Sequence, residues 1–325
     1  MRPVPPELLD FIDRHGPFYV IGHKEPDGDC VGSQLALASF LKRSGKTAYL
    51  CSAGPFSRTE IMSYESRFMI EVPPEKASER AAALILDCSS LGRIGVVSET
   101  LPKVPIAFID HHAAGNAVGD VLYIDPEAPS VTSMVLLLIE AMGGKPTKEE
   151  AEFLLFGLGT DTGFFRHLDE RSAEIFQVAS RLVSAGASPK RVYSLMYGGK
   201  SLFSRKLMGE ILTRTEPHYD GGLLVSFVTL EDQQRYGLAS RDSDTLYQLL
   251  LGVAGSEAAM IIRQEGETDC TVGLRARERV DVGSIAAAFG GGGHRLAAGL
   301  SIKGGLEDVS AKLIAAFEPW FKDAD

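Results

Sequence analysis

Acidic and imidazole side chains, which can bind metal ions and transfer protons, cluster at four places in the first half of the sequence. The clusters are GHKEPDGDCVGS (22–33), LILDCSS (84–90), IDHHAAG (109–115) and GLGTDTGFFRH (157–167). Carboxylate oxygen suits hard divalent ions such as Mg²⁺ and Mn²⁺, and Mn²⁺ also accepts imidazole nitrogen. Two such ions about 3.5–4 Å apart can activate a hydroxide for in-line attack on phosphorus. These residue types therefore favour a two-metal hydrolytic site.

Three of the clusters follow segments that have the length and apolar character of buried strands. The segments are FYVIGH (18–23), AAALILD (81–87) and VPIAFID (104–110). Because they alternate with helical segments, we predict a doubly wound, mainly parallel α/β sheet that is covered on both faces. Ligands of such sheets bind beyond the carboxyl ends of the strands. The first three clusters are therefore expected at one edge of the sheet.

The remaining acids of interest lie beside predicted helices. We expect one helix from Val31 to about Arg43 and another that ends near Gly157, which leaves Asp161 in the following loop. Each acid also has a simpler explanation, since an aspartate after a strand is often a helix N-cap and a close pair of aspartates can form an Asx turn. We favour metal binding, because otherwise several separate simple explanations would all have to hold at once for acids at the same end of one sheet.

The chain of 325 residues is long for a single hydrophobic core, so two domains are expected. The α/β pattern predicts a first domain over residues 1–187 and a mixed-charge helical linker over 188–215. A second, smaller α/β domain is predicted over 216–325, where strands such as CTVGLRA alternate with helices such as VGSIAAAFG.

The overall composition argues against several classes of partner. A net charge of −10 disfavours binding to long duplex nucleic acid, which depends on neutralising phosphates, but it allows small phosphorylated substrates bound through metal ions. No stretch is apolar for the roughly 18 residues that a membrane span needs, and the N-terminus lacks a signal-peptide core. The four cysteines show no paired spacing, which predicts reduced thiols and a cytoplasmic protein without membrane partners.

The four clusters, in this order and at this spacing, resemble the successive motifs of the DHH phosphoesterase superfamily. The segment FGGGGHRLAAG (289–299) resembles the signature of the DHH-associated C-terminal domain, so the match spans nearly the whole chain. Length and motif style are similar to the NrnA-type subfamily, which degrades very short RNA and dephosphorylates 3′-phosphoadenosine 5′-phosphate (pAp). This resemblance implies an exonucleolytic, Mn²⁺-dependent phosphoesterase that forms a homodimer and has its active site in the interdomain cleft.

The resemblance also implies a ligand set for two Mn²⁺ ions, with Mg²⁺ or Co²⁺ as substitutes. His23 and Asp27 would hold one ion, Asp87 would bridge both, and the second ion would be held by Asp29, His111 and Asp161.

Further residues are implied to act on the substrate. Asp110 would support the neighbouring histidine, and His112 would donate a hydrogen bond or a proton to the scissile phosphate. Gly291, Gly292 and Gly293 would let the backbone approach a phosphate closely, and His294 would contact that phosphate.

The resemblance also implies a second phosphate contact, and residue type and position suggest a place for a base. Arg275 could bind a phosphate with two hydrogen bonds. The simpler explanation is a surface charge, which is common for an arginine on a strand. This chain also departs from the family pattern, because related chains have a serine or other polar residue where it has Gly273-Leu274. Phe164 and Phe165, followed by Arg166, lie near the end of the fourth cluster and could receive a base near the second metal. The alternative for Phe165 is an ordinary place in the core.

Other functions remain open at this stage. Hydrolysis of linear or cyclic dinucleotides, such as cyclic-di-AMP, would use the same metal centre with a differently shaped pocket. A nucleotide-binding regulator with an inactive site is the alternative from another class, but every expected ligand position is occupied by a suitable residue.

Overall fold

The structure, a computed structural model, describes residues 1–72, 78–112, 115–170, 172–237 and 242–322. The chain forms two compact units, Met1–Gly199 and Lys200–Asp325. The region predicted as a helical linker, 188–215, contains the last helix of the first unit and the first helix of the second. The boundaries at 187 and 216 stay a prediction. None of the helices in the described ranges is both long and apolar enough to cross a membrane.

The first unit is built around a parallel sheet. In chain order, its strands are β1 (Phe18–Ile21), β2 (Ala48–Cys51), β3 (Ala82–Leu86), β4 (Ile106–Asp110) and β5 (Val121–Ile124). Its helices are α1 (Pro6–Arg14), α2 (Gly28–Arg43), α3 (Val97–Thr100), α4 (Val131–Ala141), α5 (Lys148–Asp161), α6 (Ala173–Ser184) and α7 (Pro189–Tyr197). Two 3₁₀ turns cover Met62–Arg67 and Leu91–Ile94.

The strand order is β2-β1-β3-β4-β5, and each neighbouring pair is parallel. Alternate residues of β1 enter different cores: Phe18 and Val20 pack with α1, α2, α4 and α5, whereas Tyr19 and Ile21 pack with residues such as Val97 of α3. Both faces are therefore covered, which confirms the predicted doubly wound α/β fold. The order reverses between β1 and β3, so ligands are expected beyond these two strand ends.

Three details differ from the sequence-based expectation. The edge strand β5 was not predicted, since it is short and Leu122 within it is 47% exposed. Helix α2 begins at Gly28 rather than at Val31, because the Asp27 carboxylate caps it by accepting hydrogen bonds from two backbone N–H groups. Helix α5 continues past Gly157 to Asp161, so Asp161 lies in its last turn and not in a loop.

Helices α2 and α5 approach each other closely, which explains why α5 tolerates an internal glycine. A Cβ atom on Gly157 would lie 2.8 Å from Oδ1 of Asp29, and a Cβ atom on Gly32 would lie 2.5 Å from the carbonyl oxygen of Phe153. Both glycines therefore allow backbone contact between the helices. This contact brings Asp29 of α2 towards the end of α5, where Asp161 lies.

The second unit contains a mixed sheet and its own helices. Its strands are β6 (Glu216–His218), β7 (Leu223–Val228), β8 (Ala258–Gln264), β9 (Asp269–Ala276), β10 (Gly292–His294) and β11 (Ala297–Lys303). Its helices are α8 (Leu202–Thr213), α9 (Leu230–Tyr236), α10 (Ser243–Leu251), α11 (Val282–Ala288) and α12 (Leu306–Lys322). The strand order is β10-β11-β9-β8-β7-β6, and β7 and β8 form its parallel pair. This confirms a second, smaller α/β unit.

The Gly32→Ala substitution is expected to lower the free energy of unfolding by about 1–2 kcal/mol, because overpacking against a backbone carbonyl outweighs the gain in helix propensity. Gly209→Ala in α8 is the matched control. Among the described residues, no atom outside the local helix backbone lies within 4 Å of a Cβ added there, so this variant should be stabilised by about 0.5–1 kcal/mol. Urea unfolding followed by circular dichroism measures both values. Equal stability of Gly32→Ala and the unsubstituted protein would contradict the packing argument.

Candidate active site

The ends of β1, β3 and β4 carry the side chains that form the centre of the site. His23 lies two residues beyond β1, and Asp87 directly follows β3. Asp110 is the last residue of β4, and His111 and His112 come next. These residues lie at and beside the point where the strand order reverses, because β1, β3 and β4 are neighbours in the sheet.

Two of the histidines have their ring orientation set by backbone carbonyl groups. His23 Nδ1 lies 2.8 Å from the carbonyl oxygen of Lys24, and His111 Nδ1 lies 3.1 Å from that of Ala128. A carbonyl oxygen can only accept, so each Nδ1 carries a hydrogen, and in the neutral imidazole the lone pair is then on Nε2. Both imidazoles are thus prepared to act as metal ligands through Nε2.

Asp87 lies between these two imidazoles. Its Oδ2 is 3.4 Å from Nε2 of His23, and its Oδ1 is 3.7 Å from Nε2 of His111. The residue has a φ of 60°, which is uncommon for a residue with a side chain. Oδ1 is fully buried and has no hydrogen-bond partner among the described residues. A buried carboxylate oxygen without a partner is costly, and a cation would satisfy it.

Asp27 and Asp29, at the start of α2, each make structural hydrogen bonds as well. Asp27 Oδ1 accepts from the backbone N–H groups of Asp29 and Cys30, and it lies 3.9 Å from Nε2 of His23. The fully buried Asp29 carboxylate accepts from the N–H of Val131 at 2.6 Å and from the N–H and hydroxyl of Thr132 at 2.9 and 2.7 Å. It therefore stabilises the N-terminus of α4.

Asp161 completes the cluster from the end of α5. Its Oδ2 lies 3.2 Å from Nε2 of His111. Ligand atoms of Asp29, His111 and Asp161 all lie within 4.8 Å of one another. The predicted ligands therefore come together as two groups, with Asp27 and His23 on one side and these three residues on the other. Asp87 faces both groups.

The acids of this cluster repel one another electrostatically. Burial raises the pKa of Asp87 well above its usual range, and the charges of Asp29 and Asp27 raise it further. Burial and the same kind of repulsion raise the pKa of Asp161 to about 11, and burial also raises that of Asp29. Crowded carboxylates, free imidazole lone pairs and the partnerless oxygen of Asp87 together form a donor set that fits hard divalent cations.

A second set of hydrogen bonds orients His112. Asp110 Oδ1 accepts from Nδ1 of His112 at 2.7 Å and from the backbone N–H of both histidines, while Oδ2 accepts from the hydroxyl of Ser89. Burial would raise the pKa of Asp110, but the hydrogen bonds from His112 and Ser89 lower it overall. The hydrogen bond to Asp110 in turn raises the pKa of His112, which is half-exposed and whose Nε2 has no hydrogen-bond partner among the described residues.

Phe165 and Arg166 lie just beyond Asp161. Phe165 is partly buried and packs against the core of the first unit, whereas Arg166 is exposed. The ring of Phe165 nevertheless stacks on the exposed ring of Phe176, with centroids 5.4 Å apart. Phe165 is therefore both a core residue and part of a surface aromatic cluster.

Arg275 and His294 lie on one face of the sheet in the second unit. His294 is opposite Ala297 in the β10–β11 hairpin, and Ala297 is opposite Arg275 on β9. Residues directly opposite each other point to the same face. The glycine run makes this hairpin possible, because a Cβ on Gly293 would lie 2.5 Å from the carbonyl oxygen of Ala297. Gly292 and His294 are exposed, and Gly291 precedes them.

The guanidinium of Arg275 lies 4.8 Å from the ring centroid of Tyr247 on α10, which is a cation–π contact. A side chain at Gly273 would collide with the hydroxyl of Tyr247. Gly273 thus makes room for the ring that supports Arg275. Arg275 also borders a cavity of about 160 Å³ between the sheet, α8 and α10.

Sequence reasoning missed several residues that support the site. Ser89 was visible as part of LILDCSS, but its hydrogen bond to Asp110 depends on the pairing of β3 with β4. Thr132, which holds Asp29, gave no sequence signal. The positive charges of Arg58 and Arg93 lower the pKa values of Asp161 and Asp87 respectively, against the larger effects of burial and of the neighbouring carboxylates.

Comparisons with known proteins agree with this geometry. The family model described as DHH family, N-terminal domain, matches residues 17–158, and the DHHA1 domain model matches residues 220–323. The chain is 34% identical over 300 residues to the bifunctional oligoribonuclease and PAP phosphatase NrnA of Thermus thermophilus. That match covers 92% of this chain and 87% of the relative.

Two further similarities extend over most of the chain. The NrnA protein of Bacillus subtilis, which carries the same description, is 26% identical and is matched over 91% of this chain and 92% of its own length. The crystal structure of an exopolyphosphatase-related protein from Bacteroides fragilis superposes with a TM-score of 0.83 at 24% identity. That superposition covers 98% of this chain and 97% of the other, and it supports the fold.

Mn²⁺ is expected to raise the melting temperature of metal-free protein by about 5–10 °C at 100 times its dissociation constant. The free energy of unfolding of the metal-free protein should fall as pH rises above about 4. The reason is that the folded state disfavours the charged forms of Asp87 and Asp161, whose pKa values it raises. The metal-dependent rise should be larger at pH 8 than at pH 5, where protons compete with the ion.

Thermal unfolding of chelator-treated protein, with and without added Mn²⁺, measures this effect. The control is Asp87→Asn, which keeps the shape of the side chain and removes its charge. It should lose most of the rise. An equal rise in the variant would mean that the ion binds elsewhere.

Proposed function

The chain belongs to the DHH phosphoesterase family and carries a DHHA1 domain, and we propose from this premise that it hydrolyses short oligoribonucleotides from one end and also acts on pAp. The observation that carries the proposal is the position of Asp87, which faces two separate groups of metal-ligand atoms and has a buried oxygen without a partner. The two NrnA relatives named above are described as oligoribonucleases and PAP phosphatases, which supports the choice of substrate class.

We propose two divalent ions, Mn²⁺ in the first place, with Mg²⁺ or Co²⁺ as substitutes. His23 and Asp27 would hold one ion, Asp87 would bridge, and the other ion would be held by Asp29, His111 and Asp161. Bound there, the ions would polarise the phosphoester and lower the pKa of a water molecule. The hydrogen bonds from Val131 and Thr132 fix the Asp29 carboxylate, so this ligand needs little reorganisation on binding.

His112 is proposed to act on the substrate phosphate. Its Nδ1 is held by Asp110, so the free Nε2 can donate a hydrogen bond to a phosphate oxygen or a proton to the leaving group. The raised pKa of His112 favours the protonated form that such a role requires. Asp110 is a positioning residue in this scheme, since its carboxylate contacts His112 and Ser89.

The remaining contacts are proposed to bind the rest of the substrate. Arg275 and His294 lie on one face of their sheet and would bind phosphate oxygens, and the backbone of Gly291, Gly292 and Gly293 would add N–H donors. Phe165 and Arg166 would contact a base and its phosphate. We also propose a cytoplasmic homodimer without membrane or long-duplex partners.

A substrate panel with Mn²⁺ tests the proposal directly. It contains pAp, RNAs of two to five nucleotides, cyclic-di-AMP and pyrophosphate. We expect short RNA and pAp to be hydrolysed fastest, and the Asp87→Ala variant to be folded but to lose activity by a factor of at least about 10³. Preference for cyclic-di-AMP over linear RNA would favour the cyclic dinucleotide alternative. Preference for pyrophosphate, or near-normal activity of Asp87→Ala, would contradict the proposed function.

Asp110→Asn is expected to lower kcat by about 10–100-fold, because the amide cannot hold His112 as the carboxylate does. If Asp110 acts through His112, the double variant Asp110→Asn/His112→Gln should be no slower than His112→Gln alone. Steady-state kinetics of the two single variants and the double variant measure this coupling. Fully additive losses would show that Asp110 has a separate role.

A further inference from the structure

Five aromatic rings form a continuous cluster next to Asp161. In spatial order they are Phe176, Phe165, Phe164, Tyr193 and Tyr197, and we call them the aromatic ladder. Successive ring centroids lie 5.4, 5.4, 5.2 and 4.8 Å apart. The ladder connects the turn after α5 with α6 and α7.

The turn that carries the two central rings has an unusual backbone. Gly163, Phe164 and Phe165 have φ values of 57°, 55° and 73°, so two residues with large side chains adopt the left-handed conformation. Such residues cost about 1 kcal/mol or more each. Thr162 holds the turn in place, because its hydroxyl accepts from the N–H of Phe165 and its carbonyl accepts from the N–H of His167. The turn therefore holds these rings, which follow Asp161 by three and four residues in the chain, at a cost in stability.

Both outer parts of the ladder face solvent. Phe176 is 55% exposed and Tyr193 is 52% exposed. The exposed Arg166 lies beside the central rings and supplies a positive charge. Exposed aromatic rings next to a cation are the combination with which proteins bind the bases and phosphates of single-stranded nucleic acid.

Ring geometry indicates where a base can stack. Phe165 and Phe176 are nearly parallel, at 26°, and their centroids are 5.4 Å apart. A base inserted between them would need about 6.8 Å, twice the 3.4 Å spacing of stacked bases. The contacts of Phe164 and Tyr193 are tilted or edge-on, at 59° and 75°, and brace the stacked pair. The solvent-facing side of Phe176 is thus the open stacking surface.

We propose that Phe176 is a stacking platform for a base beyond the nucleotide held at the metal centre, and so favours RNA of two or more nucleotides over pAp, which has one base. Phe165 lies four residues after Asp161, so their Cα atoms are at most about 14 Å apart. The ring centroid of Phe176 lies a further 5.4 Å from that of Phe165, and a substrate of two to five nucleotides can span such distances. This inference rests on the proposed function and adds the residue that determines preference for length.

The test compares kcat and KM for a trinucleotide RNA and for pAp, with Mn²⁺. Phe176→Leu keeps an apolar side chain but removes the aromatic face, and Phe176→Trp restores an aromatic face. Base stacking on a protein ring changes binding by about 5- to 150-fold. We expect Phe176→Leu to lower the ratio of kcat/KM for trinucleotide to that for pAp by about tenfold, through KM, and Phe176→Trp to restore it. Leu122→Ala, at the 47% exposed Leu122 of edge strand β5, is the control and should leave the ratio unchanged.

The outcomes separate the two proposals. An unsubstituted protein that hydrolyses neither substrate refutes the proposed function and the inference with it. An active protein whose ratio is the same in Phe176→Leu refutes the inference alone. Light scattering of the unsubstituted protein and Phe176→Leu is measured in parallel. A shift from dimer to monomer in the variant would identify this surface as an interface between two copies, and would overturn the stacking proposal.

Discussion

Repulsion among buried carboxylates is the constraint on which the first unit depends. Asp29, Asp87 and Asp161 lie within one small cluster, and burial raises the pKa of each. Among the described residues, no buried lysine or arginine contacts these carboxylates directly. The fold holds Asp29 in place instead, by hydrogen bonds from the N-terminus of α4, and it brings α2 and α5 together through glycine contacts. A site held in this way is preorganised for cations.

The same side chains serve as structural caps and as candidate ligands. Asp27 caps α2, and Asp29 accepts hydrogen bonds from the start of α4, which lies about one hundred residues later in the chain. A capping hydrogen bond uses one lone pair of a carboxylate oxygen and leaves others for a metal ion. The cap and the metal-ligand interpretations of these aspartates are therefore compatible. The hydrogen bonds also fix the direction of each remaining lone pair.

In the second unit, the fold places a positively charged side chain on the sheet without burying it unpaired. Arg275 rests on the ring of Tyr247, and the absence of a side chain at Gly273 makes room for that ring. The register of β9, β11 and β10 then places His294 on the same face. Aromatic support of this kind orients a guanidinium while leaving its donors available.

The sequence was sufficient to predict the α/β fold, and it pointed to His23, Asp87 and Asp110 because apolar strand-length runs end directly in those residues. The division of the predicted ligands between two ions came from the family resemblance. The sequence did not determine the end of α5, since the glycine contact of α5 with α2 forms only when distant segments pack. The start of α2 depends on a local cap, because the Asp27 carboxylate accepts from N–H groups two and three residues later in the chain. The sequence also gave no sign of Thr132, nor of the ring stacking between Phe165 and Phe176. Residue types and local periodicity are properties of neighbouring residues in the chain. Lone-pair directions, pKa shifts and ring contacts depend on residues far apart in the chain, so they were settled only when the chain had folded.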